Sequence, residues 1–122
     1  MSEVPAPEAR EWRFYLDDMI GFAKRTLAYT NDLDQAGFVG SDITYDASLR
    51  NLELIGEAAT RIPDAVRAAY AAIPWRQIIA TRNRLIHGYM GIDDDTLWSI
   101  IRNDVPDLLR ALEAMARDVD AA

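Results

Sequence analysis

The sequence predicts an all-α protein: an antiparallel helical bundle of four main helices plus one short helix. Apolar residues recur every three or four positions over long stretches, as they do on the buried face of a helix. We find no stretch with the alternating pattern of a half-buried strand. Capping residues and prolines fall between the helical stretches, where helices should begin and end. We therefore expect a single helical domain over residues 1–122.

The same signals give the order of the elements. We expect a first helix over about 7–30, a loop over 31–40 and a second helix from Ser41 or Asp42 to Pro63. A short helix over about 64–71 and a helix from Pro74 to near Gly88 follow. A loop over 91–95 then leads into the final helix. Apolar residues keep one phase across Pro106, so we expect the final helix to be kinked there rather than broken.

Composition narrows the class of protein. No apolar run approaches the roughly 20 residues that span a bilayer, and no basic-then-apolar signal pattern is visible, so we expect a soluble, cytoplasmic protein. The chain contains no cysteine and one histidine, which excludes thiolate catalysis and makes a metal site built on these residues unexpected. We therefore expect no cofactor. The acidic run Asp93–Asp95 is better explained as a helix-capping loop than as a metal site.

The arginines are unevenly distributed. A formal net charge of −7 argues against binding nucleic acid over the whole surface. Residues 50–87, however, hold six arginines against three acidic residues, and twelve of the thirteen cationic side chains are arginine. Because guanidinium contacts phosphate or carboxylate at two points, this segment is a candidate anion-binding region. The codon bias of a GC-rich genome would also raise the arginine content, and the sequence leaves both explanations open.

Most of the reactive side chains lie in one octapeptide. It reads Arg82-Asn83-Arg84-Leu85-Ile86-His87-Gly88-Tyr89 and contains the pattern R-x4-H-x-Y. Taken alone, His87 before a glycine is typical of a residue that hydrogen-bonds a carbonyl at a helix end. Tyr89 would by itself be an amphipathic residue covering that end. The clustering of these side chains favours a functional site.

Arg82 falls in the middle of the apolar stripe of its helix, which runs through Trp75, Ile78, Ile79, Leu85 and Ile86. A guanidinium facing a core is costly unless it is paired. Glu53 and Glu57 of the second main helix are the candidate partners, and Gly56 between them would allow a neighbouring backbone to come close.

The two glutamates also admit a simpler explanation. Together with Arg50 and Arg61 they form one charged stripe, which would equally suit a solvated ladder of ion pairs.

On the fourth helix, Asn83, Arg84 and His87 share a face that lies about 140° from Arg82. We therefore expect Arg82 to be held from the inside while the other three face a groove or a second subunit.

The octapeptide resembles the R-x4-H-x-Y signature of the HEPN superfamily, and within it of the HepT-like ribonucleases. Residues 50–58, Arg-Asn-Leu-Glu-Leu-Ile-Gly-Glu-Ala, resemble a second recurring block of that family. Trp98 followed by Val105-Pro106 resembles its C-terminal helix. The resemblance covers nearly the whole chain and implies a HEPN-like bundle. Met90 stands where the family pattern leads us to expect an aromatic residue.

The resemblance implies the toxin of a bacterial type VII toxin–antitoxin pair, a homodimer that cleaves RNA without a metal ion at a cleft between the subunits. It assigns His87 as general acid and base, Arg82 as the group stabilising charge on the scissile phosphate, and Asn83 as a positioning residue. Tyr89 would accept AMP from a minimal nucleotidyltransferase antitoxin, which silences the toxin. Arg50, Glu53, Glu57 and Arg84 would support the cleft.

These roles are chemically consistent. An imidazole with the ordinary pKa of about 6.5 can take a proton from a ribose 2′-hydroxyl at neutral pH. A guanidinium can neutralise the charge that develops on phosphorus.

One rival hypothesis is a non-catalytic helical module that binds the nucleotidyltransferase or a nucleotide and uses the R-x4-H segment only structurally. Another is an unrelated helical adaptor, which would require both sequence blocks to match by coincidence.

Overall fold

The computed structural model describes residues 6–88 and 92–121, with side chains from residue 11 onward. The helices are α1 (Ala6–Thr30), α2 (Gln35–Val39), α3 (Asp42–Thr60), α4 (Asp64–Ala69), α5 (Trp75–His87), α6 (Asp94–Ser99) and α7 (Val105–Ala121), with a π-helical turn (Ile100–Asp104) joining α6 to α7. Over these residues the protein is helical with no strand. The predicted all-α, HEPN-like bundle is confirmed.

α1 is central to the bundle because it packs against both α3 and α7. Its buried residues Trp12, Leu16, Met19 and Ala23 are spaced by three or four positions, as the sequence predicts. Further along, the buried hydroxyl of Thr30 donates to the carbonyl oxygen of Thr26 at 2.8 Å, which satisfies it inside its own helix.

The predicted loop over residues 31–40 is wrong in part, because it contains α2. Asp34 caps this helix by accepting a hydrogen bond from the backbone of Gly37 at 2.8 Å. Phe38 is completely buried, with its ring 5.2 Å from the rings of both Tyr45 and Trp98. A helix of five residues is too short to show a periodic pattern, and the two glycines and two aspartates of residues 31–40 are typical of a loop.

The last helix continues past Pro106, as predicted. The predicted kink takes the form of the π-helical turn, in which the backbone N–H of Val105 donates to the carbonyl of Ile100, five positions back. Proline has no N–H and its ring crowds the carbonyl four residues earlier, that of Arg102. A wider turn just before the proline keeps the helix continuous.

α5 lies at the edge of the bundle and packs chiefly against α3. Its only fully buried residue is Trp75, whose indole N–H donates to the carbonyl of Tyr70 at 3.1 Å. Ile78, Ile79 and Leu85 are partly buried. The expectation that Ile86 belongs to the core-facing stripe is wrong, because half of this side chain is exposed.

Candidate functional site

Arg82 reaches its position through an unusually close contact between α5 and α3. A Cβ atom added to Gly56 would lie 2.2 Å from the Cβ of Arg82 and 3.2 Å from the carbonyl oxygen of Ile78. Such distances are far inside van der Waals contact, so only glycine permits the two helices to approach this closely. The expectation that Gly56 allows a close backbone approach is confirmed.

The guanidinium of Arg82 is fixed at two points. Its Nη2 donates to Oε1 of Glu57 at 2.6 Å, and its Nη1 donates to Oδ1 of Asn83 at 2.9 Å. Its Nε is buried without a partner among the described residues. The Arg82 side chain as a whole remains 28% exposed. Arg82 is therefore paired from α3, as predicted, and Glu57 rather than Glu53 is the partner.

Glu57 has a second cation beside it. Its Oε2 lies 3.6 Å from Nη2 of Arg61, while Glu53 pairs instead with Arg50 at 3.4 Å. Glu57 therefore takes part both in the ion pairs along the surface of α3 and in holding Arg82, because each of its two carboxylate oxygens contacts one arginine. Arg61 was not among the predicted site residues. The signal was its i,i+4 spacing from Glu57, which sequence alone could not distinguish from an ordinary surface ion pair.

Asn83 and His87 are exposed on α5, as predicted. They lie one helical turn apart, and the helix ends directly after His87 at Gly88. Gly88 has a φ of +72°, a conformation that favours glycine, and its N–H donates to the carbonyl of Arg84 at 3.3 Å. The glycine therefore terminates the helix and leaves His87 in the last turn.

Arg84 is exposed and lies on a different side of α5 from the guanidinium of Arg82, as predicted. It lines a groove of about 570 Å³ between α5 and the C-terminal helices, whose floor includes Leu52, Ile78 and Leu108. Asp104 lies on the same rim. The structure thus brings Arg82, Asn83, Glu57 and Arg61 together, and it separates Arg84 from that group.

Tyr89 lies outside the described residues, so its predicted position stays a prediction. The described chain resumes at Ile92, and Asp93 caps α6 by accepting from the backbone N–H of Thr96 at 2.8 Å and from its hydroxyl at 3.0 Å. The backbone N–H of Thr96 is the main reason that the pKa of Asp93 is lowered. The predicted capping role of this acidic run is confirmed.

The two aspartates after Asp93 tie the start of α6 to the rest of the bundle. Tyr45 donates to Asp94 at 3.0 Å, and Gln35 donates to Asp95 at 2.5 Å. Burial, followed by the hydrogen bond to Asp94, raises the pKa of Tyr45. These contacts between distant parts of the chain were not predicted, and no local sequence signal indicates them.

The site combines a guanidinium held in place, an exposed imidazole and an exposed amide on one helix. The printed sequence of α5 contains no acidic residue, although the chain has twenty. Within residues 6–88 and 92–121 we find no group of three or more side chains arranged to hold a metal ion, and no helix long and apolar enough to cross a bilayer. Fold and site together define the class of protein: a HEPN-like bundle carrying an R-x4-H motif on a helix without acidic residues.

Comparison with known proteins gives the family. Residues 19–115 match the family model described as Ribonuclease HepT-like, and the chain belongs to this family of ribonucleases. The chain is 35% identical over 104 residues to "Putative RNase MJ1380" of Methanocaldococcus jannaschii, covering 85% of this chain and 95% of that protein. It is 32% identical over 108 residues to "Probable ribonuclease HepT" of Thermococcus cleftensis, covering 88% and 98%. No solved structure gives a significant match.

Proposed function

We propose that the protein is a metal-independent endoribonuclease and the toxin of a toxin–antitoxin pair. The observation that carries this proposal is the pairing of Arg82 with Glu57 at 2.6 Å, on the same helix as the exposed His87 and Asn83. Glu57 holds the guanidinium of Arg82 in a fixed position, so less conformational entropy is lost in orienting this cation when the substrate binds. Membership of a ribonuclease family supports RNA as the substrate.

The reaction would proceed by attack of a ribose 2′-oxygen on the adjacent phosphorus. The new bond gives a 2′,3′-cyclic phosphate, the P–O5′ bond breaks, and the 5′-oxygen leaves as a hydroxyl. His87 takes the proton from the 2′-hydroxyl, or delivers one to the departing oxygen. Arg82 stabilises the charge on the phosphorane, and Asn83 hydrogen-bonds the phosphate. DNA lacks the attacking hydroxyl and would not be cleaved.

We propose that the active form is a homodimer, because one histidine per chain cannot act as base and acid at once. A two-fold axis would bring a second His87 to the same scissile bond. The exposed Ile86 beside His87, on a helix that packs chiefly against α3, supports a contact with a second copy on this side. A mixed dimer of wild-type and His87→Ala chains should then have far below half of the wild-type activity. A value near half would show that each subunit cuts alone.

Control would come from a cognate nucleotidyltransferase that transfers AMP from ATP to the hydroxyl of Tyr89, releasing pyrophosphate. The added phosphate would repel the substrate phosphate from the site. After incubation with ATP and this partner, we expect mass spectrometry to find AMP on Tyr89. Label on Tyr15, Tyr29, Tyr45 or Tyr70 would contradict the assignment.

The direct test is expression of the chain in a heterologous cytoplasm with and without its neighbouring nucleotidyltransferase, followed by mapping of RNA ends. We expect growth arrest and RNA fragments ending in cyclic phosphate when the chain is alone, and neither when the partner is present. The non-catalytic alternative, a module that binds the nucleotidyltransferase or a nucleotide, gives no arrest and no cleavage.

A further inference from the structure

Arg61 lies beside the site although the proposed chemistry gives it no role. Its guanidinium shares Glu57 with Arg82, at 3.6 Å from Oε2 while Arg82 binds Oε1 at 2.6 Å. More than half of the Arg61 side chain is exposed, at 57%. Two cations therefore meet at one carboxylate, and Arg61 is the outer of the two. The guanidinium also lies over the ring of Tyr15, at 5.9 Å from its centroid. An exposed ion pair of this length is weak, so Arg61 can exchange it for another anion without leaving that ring.

Arg76 lies on the same face of α5 as Asn83 and His87. Seven and eleven residues separate it from these two, which places both within about 20° of Arg76 around the helix axis. It is exposed, and its side chain forms no ion pair or hydrogen bond with the described residues. The rise between Arg76 and His87 is about 16 Å. A few nucleotides of extended RNA cover that distance.

Arg61 and Arg76 lie at the same end of the α3–α5 pair. α4 begins three residues after Arg61, and its residues Asp64 and Arg67 line a shallow hollow of about 600 Å³ together with Arg76 and Ile79. The carboxylate of Asp64 is already paired with Arg67. The C-terminal end of α3 therefore adjoins the N-terminal half of α5. Asp64, the one acidic residue that lines the hollow, is neutralised by Arg67.

The charge of this surface is opposite to that of the whole protein. The chain carries a net charge of −7, yet on this side α5 contributes Arg76 and Arg82 and no acid. On the α3 side, Glu57 lies between two arginines. A polyanion would be repelled from most of the molecule and attracted to the seam between α3 and α5.

We propose that Arg61 and Arg76 form a second phosphate-binding subsite, which holds single-stranded RNA several nucleotides away from the scissile bond. The strand would run along the seam from His87, past Arg82 and Glu57, to Arg61 and Arg76. A single strand fits because in-line attack by a 2′-hydroxyl requires a backbone conformation that the A-form duplex does not supply. The identity of the ligand rests on the proposed ribonuclease function.

The test measures binding rather than cleavage. Uncleavable 2′-O-methyl oligonucleotides of about 2 and about 12 nucleotides are titrated, over a series of salt concentrations, into the wild type, the Arg61→Gln/Arg76→Gln protein and the single variant Arg76→Gln. The matched control is Arg102→Gln/Arg117→Gln, which removes two exposed arginines from the C-terminal helices. Circular dichroism establishes that each variant is folded.

We expect the double variant to bind the long oligonucleotide about tenfold more weakly, with the salt slope reduced by about 1.4, which corresponds to two lost phosphate contacts. The single variant Arg76→Gln should reduce the salt slope by about half as much as the double variant. Binding of the short oligonucleotide, and all binding by the control, should be unchanged. An unchanged slope, or equal losses for short and long oligonucleotides, would overturn the subsite.

Cleavage of a short RNA by the wild type tests the proposed function separately. If the wild type cleaves but the double variant binds long RNA normally, the subsite is wrong and the function stands. If the expected binding pattern is found without any cleavage, the function is wrong and the subsite stands. If the double variant loses the nucleotidyltransferase instead of RNA, this surface belongs to the protein partner and the RNA subsite is wrong.

Discussion

Gly56 and Arg82 face each other across the contact between α3 and α5, with no room for even one added carbon: a Cβ on Gly56 would lie 2.2 Å from the Cβ of Arg82. The neighbour of Gly56 in sequence, Glu57, is the residue that holds the guanidinium. The same short stretch of α3 therefore sets both how close Arg82 approaches and where its charge points.

Gly56→Ala should push α5 away from α3. The clash is with backbone-proximal atoms that cannot rotate away, so we expect a loss of about 1–3 kcal/mol in the free energy of unfolding. Gly21→Ala is the control, because nothing lies within 4 Å of a Cβ at that helical position; it should stabilise the protein by up to about 1 kcal/mol. Urea denaturation measures both, and equal effects would contradict the close approach.

Glu57→Gln should lower RNA cleavage while the protein stays folded. The amide cannot hold both arginines by charge, so the guanidinium of Arg82 loses its fixed position, and we expect a loss in kcat on the order of 10- to 100-fold. Glu53→Gln is the matched control, since among the described side chains Glu53 pairs with Arg50 and not with Arg82, and its kcat should change by less than about twofold. Similar losses in the two variants would show that Glu57 has no special role.

Arg82→Ala should abolish cleavage and also destabilise the protein. Its stem packs against Gly56 and most of the side chain is covered, so we expect a loss of about 1–2 kcal/mol. Arg84→Ala removes an equal charge from an exposed position on the same helix and should change stability by less than about 0.5 kcal/mol. An inactive Arg82→Ala protein with wild-type stability would contradict the packing role.

His87→Ala should abolish cleavage without unfolding the protein. The side chain is exposed in the last turn of α5, and the N–H of Gly88, which has a positive φ, closes that turn by donating to the carbonyl of Arg84. We expect wild-type helicity by circular dichroism, a stability change of less than about 0.5 kcal/mol and no RNA fragments. Unfolding of this variant would instead support the purely structural role of a histidine at a helix end.

Tyr70 should make stability fall at alkaline pH. Its hydroxyl donates to Asp118 at 2.5 Å, and this hydrogen bond, followed by burial, raises the pKa of Tyr70 to about 12. The folded state therefore holds the phenol proton more tightly than the unfolded state, whose tyrosine pKa is about 10. This contribution is complete below pH 10 and is lost as the pH rises towards 12. Thermal unfolding from pH 8 to 12 should show a smaller decline for Tyr70→Phe than for the wild type.

The sequence was sufficient to predict the central part of the site because the physical conflict is local. An arginine in an apolar stripe requires a partner, and a glycine beside a glutamate on another helix offers both space and charge. Choosing Glu57 over Glu53 needed the structure, since both lie on the same face of α3. The role of Arg61 also depends on how two helices meet, which a one-dimensional pattern does not contain.

Prediction of the helices was limited for a similar reason. Long helices were predicted to within a few residues, because each repeats its apolar spacing many times. α2 was missed since five residues contain one buried anchor, Phe38, and its partners Tyr45 and Trp98 are remote in sequence. Ile86 was expected in the core because periodicity reports which residues share a face, whereas the structure leaves half of this side chain exposed.

The attachment of α5 chiefly through α3 has a consequence for the order in which the molecule opens. An edge helix held by one neighbour is released at lower free energy than helices packed on two sides. Backbone amides of α5 should therefore exchange with deuterium before those of α1, which packs against both α3 and α7. The helix that carries Arg82 and His87 would thus be the least protected of the long helices, and any ligand or second chain that binds along it should slow that exchange most.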